Sequence, residues 1–356
     1  MEKWRGGGSG TVGVRRLTGA HAARRARGVT VACRARGVPR PGGASRVPVG
    51  MVAVLAVLAV ALVLGGCAWV GRSAEDRGAG APQPWLKMED WAGREVVLGH
   101  RPERIVSFAP SNTEILFALG AGDRVVGVTD FCNYPEEAKT RTRLGGALNP
   151  NLEKLTALQP DLVLCIGGMD QFLAKLGELG IPAFVVQPTD LQDVLRSVEV
   201  IGRLVGEEQR ARDLVADLRG RLGRLQEALA AVPADKRVRV FYEVWHDPLM
   251  TAGPGSFIHD ALVAAGGVNV AADAPKPFCE YSLESLIQKD PQAIVTTMPE
   301  SYEALKSKKR PGWEKVTAVR EGRILLLDPD LITRPGPRLV EAIEQLARFL
   351  YPDVVR

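Results

Sequence analysis

Outside its first 50 residues the chain holds three histidines, His100, His246 and His259, and no two stand at the spacing of a helical or hairpin zinc pair. The Gly253-Pro254-Gly255 run lacks the third glycine of a dinucleotide fingerprint, and no Gly-Lys-Ser/Thr loop is present to cradle phosphate. A Gly-x-Ser-x-Gly nucleophile elbow is also missing. These residue types assemble no catalytic constellation and no metal site. The sequence shows no evident apparatus for catalysis, and neither an enzymatic activity nor a cofactor of its own is expected.

Candidate binding residues cluster at turns. Pro110, Ser111 and Asn112 directly follow the β-rich run Arg104–Phe108, and Ser111 or Asn112 is expected to cap the next helix. Trp245 and His246 follow a second such run. An isolated Trp-His pair is more often core than site, but a strand end favours a pocket, and His246 leaves haem-iron ligation open. Arg334 sits between Thr333 and Pro335 in a stiff Pro-Gly-Pro context, either aimed at a ligand or simply on the surface. Asp330, beside Pro329, either anchors ligand amides or caps a turn. Cys132, Cys165 and Cys279 make no disulfide framework, and for Cys132 and Cys279 buried, inert thiols are the expected reading.

One acidic position recurs. Asn151-Leu152-Glu153 and Ser282-Leu283-Glu284 each place a proline, Pro160 or Pro291, seven residues after the glutamate and just before an apolar strand. Two equivalent carboxylates on paired units point to a surface that docks symmetrically.

The elements that must position these residues alternate in type. Short β-rich runs at 96–98, 104–108, 125–128, 162–166 and 183–186 are separated by helix-like stretches such as Thr113–Leu119 and Gln171–Leu179. That alternation predicts an α/β domain with a largely parallel sheet, whose strand-to-helix turns line ligand crevices. Residues 191–232 are almost continuously helical in pattern, and Glu207–Val232 implies a long helix. Strand signals resume at 238–244, 293–296 and 324–327, with a turn and helix over 253–265 and a closing helix over 338–350. A second α/β lobe follows the helical bridge.

The net charge of +5 conceals two parts: ten arginines and Lys3 against Glu2 in the first 50 residues, and a body that is therefore mildly acidic. An acidic body has no means of gripping a phosphate backbone, which excludes nucleic acid as a partner. Met51–Leu64 is an uninterrupted apolar run of fourteen residues, of signal-peptide length and too short to span a membrane comfortably. Leu64-Gly65-Gly66-Cys67 resembles the bacterial lipobox, which makes Cys67 the expected acylated N-terminus and Ala68–Pro84 a flexible tether. The chain is thus expected outside the cytoplasm, held to the membrane by lipid. Residues 1 to about 40 read either as an overextended start or as a disordered basic extension.

Taken in order, Arg104-Ile105-Val106-Ser107-Phe108-Ala109-Pro110-Ser111-Asn112-Thr113-Glu114, Asn151-Leu152-Glu153, Pro160-Asp161-Leu162-Val163 and Pro291-Gln292-Ala293-Ile294-Val295 resemble a known family. It is the class of ABC-importer binding proteins that carry cobalamin, siderophores or haem. The resemblance runs from about Met88 to the C-terminus. It is nearest to the cobalamin branch on Phe131-Cys132-Asn133-Tyr134-Pro135, on Arg239-Val240-Phe241 leading to Thr251-Ala252-Gly253, and on Arg334-Pro335-Gly336-Pro337-Arg338. The implied fold is α/β, two Rossmann-like lobes joined by a single long α-helix, the class III periplasmic-binding-protein fold. Its implied divisions are a leader and signal peptide (1–66), a tether (67–84), an N-terminal lobe (85–190), a helical segment (191–236) and a C-terminal lobe (237–356).

By the same resemblance Glu153 and Glu284 would dock on permease arginines. The ligand pocket would comprise Pro110, Ser111 and Phe131 on the first lobe and Val244, Met250, Phe278, Asp330 and Arg334 on the second, with Trp245 offset by one from a matched apolar site. A corrin is a broad apolar disc fringed with amides, which suits aromatic and thioether surface with a few polar anchors. At positions where the cobalamin proteins often present tryptophans, this chain has Ala147 and Ile166. The implied partners are a small-molecule ligand, cobalamin or a related corrinoid, and an importer's permease and ATPase, with the binding protein itself a monomer. Rival readings are a ferric-siderophore or haem binding protein, a tethered tetrapyrrole-modifying enzyme and a ligand sensor.

Overall fold

The structure, a computed structural model, describes residues 83–355. The basic leader, the apolar run, the lipobox-like tetrapeptide and Cys67 lie outside them. No helix among the described residues is long and apolar enough to cross a membrane.

A hairpin of β1 (Leu86–Glu89) and β2 (Glu95–Leu98) leads into the first lobe. Its five-stranded sheet comprises β3 (Ile105–Ser107), β4 (Val125–Val128), β5 (Thr142–Arg143), β6 (Leu162–Cys165) and β7 (Ala183–Val185). All pairings are parallel, in the order β5-β4-β3-β6-β7. Both β3 and β6 are buried along their whole length, as parallel strands covered on both faces must be. Three helices accompany the sheet: α1 (Pro110–Ala118), α2 (Leu152–Ala157) and α3 (Asp170–Glu178). The chain leaves β3 toward β4 on one side and returns to β6 on the other. The β3–β6 boundary is therefore the topological switch point, where open α/β sheets form a crevice beyond the carboxyl ends of their strands.

Two helices follow, α4 (Leu191–Val205) and α5 (Glu208–Leu229). The continuous helical pattern expected here is interrupted at Gly206, whose φ of 68° is the left-handed conformation that glycine adopts freely at a helix C-terminus. With its 22 residues, α5 is long enough to reach across both lobes, about 33 Å at 1.5 Å per residue. Ala211, Val215 and Leu218 pack into the first lobe's core, and Leu225 and Leu229 into the second's. In α4 the sequence runs oppositely, Val194 joining the second core and Val198, Ile201 and Leu204 the first. The pair is an antiparallel strut sharing apolar surface with each lobe.

The second lobe contains β8 (Arg239–His246), β9 (Leu249–Ala252), β10 (Val268–Asn269), β11 (Phe278–Glu280), β12 (Ala293–Thr296) and β13 (Ile324–Leu326). Its helices are α6 (Phe257–Ala264), α7 (Leu283–Lys289), α8 (Pro299–Lys306), α9 (Thr317–Arg320), α10 (Pro329–Ile332) and α11 (Leu339–Leu350). Here the sheet is mixed, β8, β12 and β13 running parallel and the β8–β9–β11 ribbon antiparallel. The closing helix α11 also bridges, Val340 packing in the first core and Leu339, Ile343 and Leu346 in the second.

Candidate functional site

The carboxyl ends of four parallel strands open on one cleft of about 630 Å³. Phe108, Ala109, Pro110 and Ser111 reach it after β3, Thr129 and Phe131 after β4, Gly146, Ala147, Leu148 and Asn149 after β5, and Ile166 after β6. The opposite wall is Asp330, Thr333, Arg334 and Pro335, at α10 of the second lobe. The cleft thus lies at the switch point and between the lobes. Phe131 is 67% exposed and Leu148 99% exposed, an unusual display of apolar surface that marks a contact site.

The helix behind Pro110 starts otherwise than expected. Pro110 is its first residue, the cap position falls on Ala109, and no side chain caps it. Ser111 and Asn112 are therefore inside the first turn. Proline suits that position because its missing N–H would have had no helical partner.

Asp330 and Arg334 of the cleft wall belong to an ion cluster that joins the lobes. Glu114 on α1, 3% exposed, accepts from Arg334 Nη1 at 2.9 Å and from Arg338 through Nε at 2.9 Å and Nη2 at 2.6 Å. Arg334 also donates to Asn133 Oδ1 at 2.8 Å, to Asp330 Oδ1 at 2.6 Å and to the Phe131 carbonyl at 3.3 Å. Asn133 Nδ2 closes the ring by donating to Asp330 Oδ2 at 2.7 Å. Arg338 stacks on Tyr134, 4.0 Å from the ring centre, and the Glu114 carboxylate raises its pKa further. Two guanidiniums and two carboxylates balance in charge, so buried ions are paired as they must be. Arg334 lines the cleft, yet both of its terminal nitrogens are committed to protein acceptors.

Of the nine expected ligand residues, the cleft lining brings together Pro110, Ser111, Phe131, Asp330 and Arg334. It does not include Val244, Trp245, Met250 or Phe278. Those four lie on the β8–β9–β11 ribbon, where Trp245 stands opposite Met250 and Phe278 opposite Ala252. Cross-strand partners point to the same face, so Trp245, Met250 and Phe278 share one face of the ribbon with exposed Glu280, which stands opposite Met250; Trp245 is 48% and Phe278 43% exposed. The ribbon's position is fixed from below by Glu243, wholly buried, which bonds Ser301 and Arg310, while Arg310 Nη2 donates to the His246 carbonyl at 3.1 Å.

Glu153 and Glu284 occupy matching local structures. Each is exposed in the first turn of a short helix whose cap side chain, Asn151 or Ser282, accepts from the main-chain N–H three residues on. Each helix is followed by a non-glycine residue with positive φ, Gln159 at 47° and Asp290 at 43°, immediately before Pro160 and Pro291. Cys132 and Cys165 are buried, whereas Cys279, expected to be buried, lies partly exposed on the edge strand β11; burial pushes the Cys165 thiol up to about 12, which keeps it protonated and unreactive.

Sequence reasoning quoted Glu114, Asn133 and Arg338 within motifs but gave them no task, and it passed over Glu243. A signal existed. Glu114 directly precedes the apolar run Ile115–Ala118, and an acid beside such a run needs a cation if buried, which Arg334 and Arg338 four residues apart supply.

A family profile described as periplasmic binding protein matches residues 105–331. The chain belongs to that family, the substrate-binding proteins of ABC importers. YvrC of Bacillus subtilis, an uncharacterized ABC transporter substrate-binding lipoprotein, is 36% identical over 85% of this chain and 97% of its own length. Among solved structures, the periplasmic vitamin B12 binding protein BtuF of Vibrio cholerae superposes with a TM-score of 0.61 at 29% identity, covering 70% of this chain and 97% of BtuF. The periplasmic haem-binding protein RhuT of Roseiflexus gives 0.63 at 28% identity, covering 71% of this chain and 99% of RhuT. Family members act by binding and release, outside the cytoplasm.

Proposed function

We propose that the chain captures cobalamin or a related corrinoid in the interlobe cleft and delivers it to an ABC permease, tethered to the membrane through acylated Cys67. The observation that carries this reading is the cleft itself, broad, open between two lobes, and walled by Phe108, Phe131, Leu148 and Ile166 with only a few polar groups. Such a lining suits a large apolar disc fringed with amides better than a small ion. The similarity to vitamin B12-binding proteins supports the same ligand.

Delivery runs through Glu153 and Glu284, whose matching placement suits arginines on the permease. Exposed carboxylates of this kind steer and register docking more than they bind. Reversing both charges, Glu153→Arg with Glu284→Arg, abolishes uptake of labelled cyanocobalamin by cells carrying the importer and leaves ligand affinity unchanged. Uptake at the normal rate would refute the docking role.

Haem is the second reading. Ala147 and Ile166 replace bulkier aromatics in the wall, and the His246 imidazole is exposed beside Trp245, with ring centres 5.1 Å apart. Purified protein carrying iron rather than cobalt would favour it.

A further inference from the structure

The body is acidic as a whole, but its charge is unevenly placed. In the second lobe β8, β12 and β13 run parallel, with Val240 beside Ala293 and Ile294 beside Ile324, so all three start at one end of the sheet. The segments that lead into them, residues 235–239, 289–292 and 306–323, hold eleven lysines and arginines against four acids, whereas acids outnumber cations over the rest of the body. Hydrogen bonds draw these segments into one face. Arg239 donates to the carbonyls of Lys289 and Asp290 at 3.3 and 2.9 Å. Lys306 and Lys308 donate to those of Gly322 and Arg320 at 3.0 and 3.1 Å, and Arg320 donates to that of Lys315. Lys236, Arg239, Lys306, Lys308, Lys315 and Arg320 are all exposed, and none of the six forms an ion pair with an acid among the described residues. Asp290 lies among them, but its carboxylate oxygens accept from the Thr317 N–H and hydroxyl at 2.7 and 2.6 Å.

Like charges gathered on an exposed face repel one another and gain from a surface of opposite sign. Cations spread over three segments suit a broad anionic surface better than one small anion. We propose that this basic end of the second lobe rests on anionic phospholipid headgroups. The inference depends on the lipid-anchor reading above only for what brings the chain to a membrane. Asp330 and Arg334 follow β13 at the other end of the sheet, so a molecule lying on its basic end turns the cleft away from the bilayer, open to incoming ligand. Glu284 likewise stands at the opposite end of α7 from Lys289, which leaves permease docking and lipid contact to different faces.

The test is co-sedimentation of the chain from Ala68 onward, which contains the cores of both lobes. It is mixed with vesicles of phosphatidylcholine alone or of phosphatidylcholine with phosphatidylglycerol, at low and at physiological salt. The unsubstituted chain binds the mixed vesicles, ignores the neutral ones and is released as salt rises. Lys236→Glu with Lys315→Glu changes two exposed side chains that bond no described residue, so it leaves the fold intact. It lowers partition onto mixed vesicles by about 30-fold or more, the effect of taking two cations from an anionic surface. Lys87→Glu with Arg212→Glu makes the same charge change on exposed sites of β1 and α5, outside this face, and lowers partition by less than about 3-fold because salt screens charges that are not at the surface.

Equal losses in the two variants, or no binding of the unsubstituted chain to mixed vesicles, overturn the proposal. The chain tested lacks Cys67, so either result judges this face and leaves the anchor reading untouched. That reading is judged separately by incorporation of labelled fatty acid into the full chain, and it fails if Cys67→Ser incorporates as much.

Discussion

Glu114 shows how a single side chain can hold a site together without facing its ligand. Its carboxylate takes three hydrogen bonds from two arginines of the other lobe, and through Arg334 it fixes Asp330, Asn133 and the Phe131 carbonyl, three parts of the cleft rim. Glu114→Ala leaves two largely buried guanidiniums without their central counter-charge. It is expected to cost about 3–5 kcal/mol in chemical denaturation, the usual penalty for orphaning a buried ion. Phe131 behaves oppositely. At 67% exposure it contributes little to the folded state, so Phe131→Ala changes stability by less than about 0.5 kcal/mol. The same substitution weakens corrinoid binding by roughly tenfold or more, as loss of an aromatic anchor does. A melting curve and a titration on each variant check both statements.

Secondary structure was legible where the pattern was strong. The buried strands 105–107, 125–128, 162–165 and 293–296 and the closing helix read correctly because apolar runs bounded by turn residues leave few alternatives. The two-residue strands β5 and β10 and the edge strand β11 were illegible, since pairing with a distant neighbour, not local pattern, makes them strands. The cap of α1 was misread because Ser111 and Asn112 are good cap residues, but Pro110 prefers the first helical position and moves the start back. Five of the nine expected ligand residues reach the cleft because the chain turns at the ends of β3, β4 and α10 meet there, whereas the ion cluster depends on lobes brought together and no local pattern announces it.

At this scale the α4–α5 junction is testable, since Gly206→Ala puts a Cβ at positive φ, 3.3 Å from Trp85 and 3.1 Å from Arg101. A loss of about 1 kcal/mol or more is expected in denaturant melts. The α5–α11 contact carries a pH dependence. Arg221 bonds both oxygens of Glu344 at 2.9 Å, and that hydrogen bonding holds the carboxylate below its ordinary 4.5. A depressed carboxylate stabilises above its unfolded pKa and ceases to do so as pH falls through the folded value. Glu344→Gln should therefore melt lower than wild type near neutrality, with the gap narrowing as pH falls below the ordinary carboxylate value of 4.5.

As a whole, the molecule is two sheets held to a fixed strut. The α4–α5 pair and α11 share core with both lobes, and the Glu114 cluster ties them again beside the cleft. Core and ion pairs shared across the lobes oppose large movements of one lobe against the other, which favours recognition through a largely preformed shape. Preorganisation of this kind lowers the ordering cost of binding. Identity of the bound molecule is the claim on which the cleft and the importer converge. The decisive measurement is isothermal titration of the protein with cyanocobalamin, cobinamide, haemin and a ferric siderophore under one set of conditions. Saturable binding of the corrinoids near one to one, with haemin and siderophore silent, is the predicted result. Silence with both corrinoids and saturation by haemin or the siderophore would contradict it, keeping the binding-protein fold and replacing its cargo.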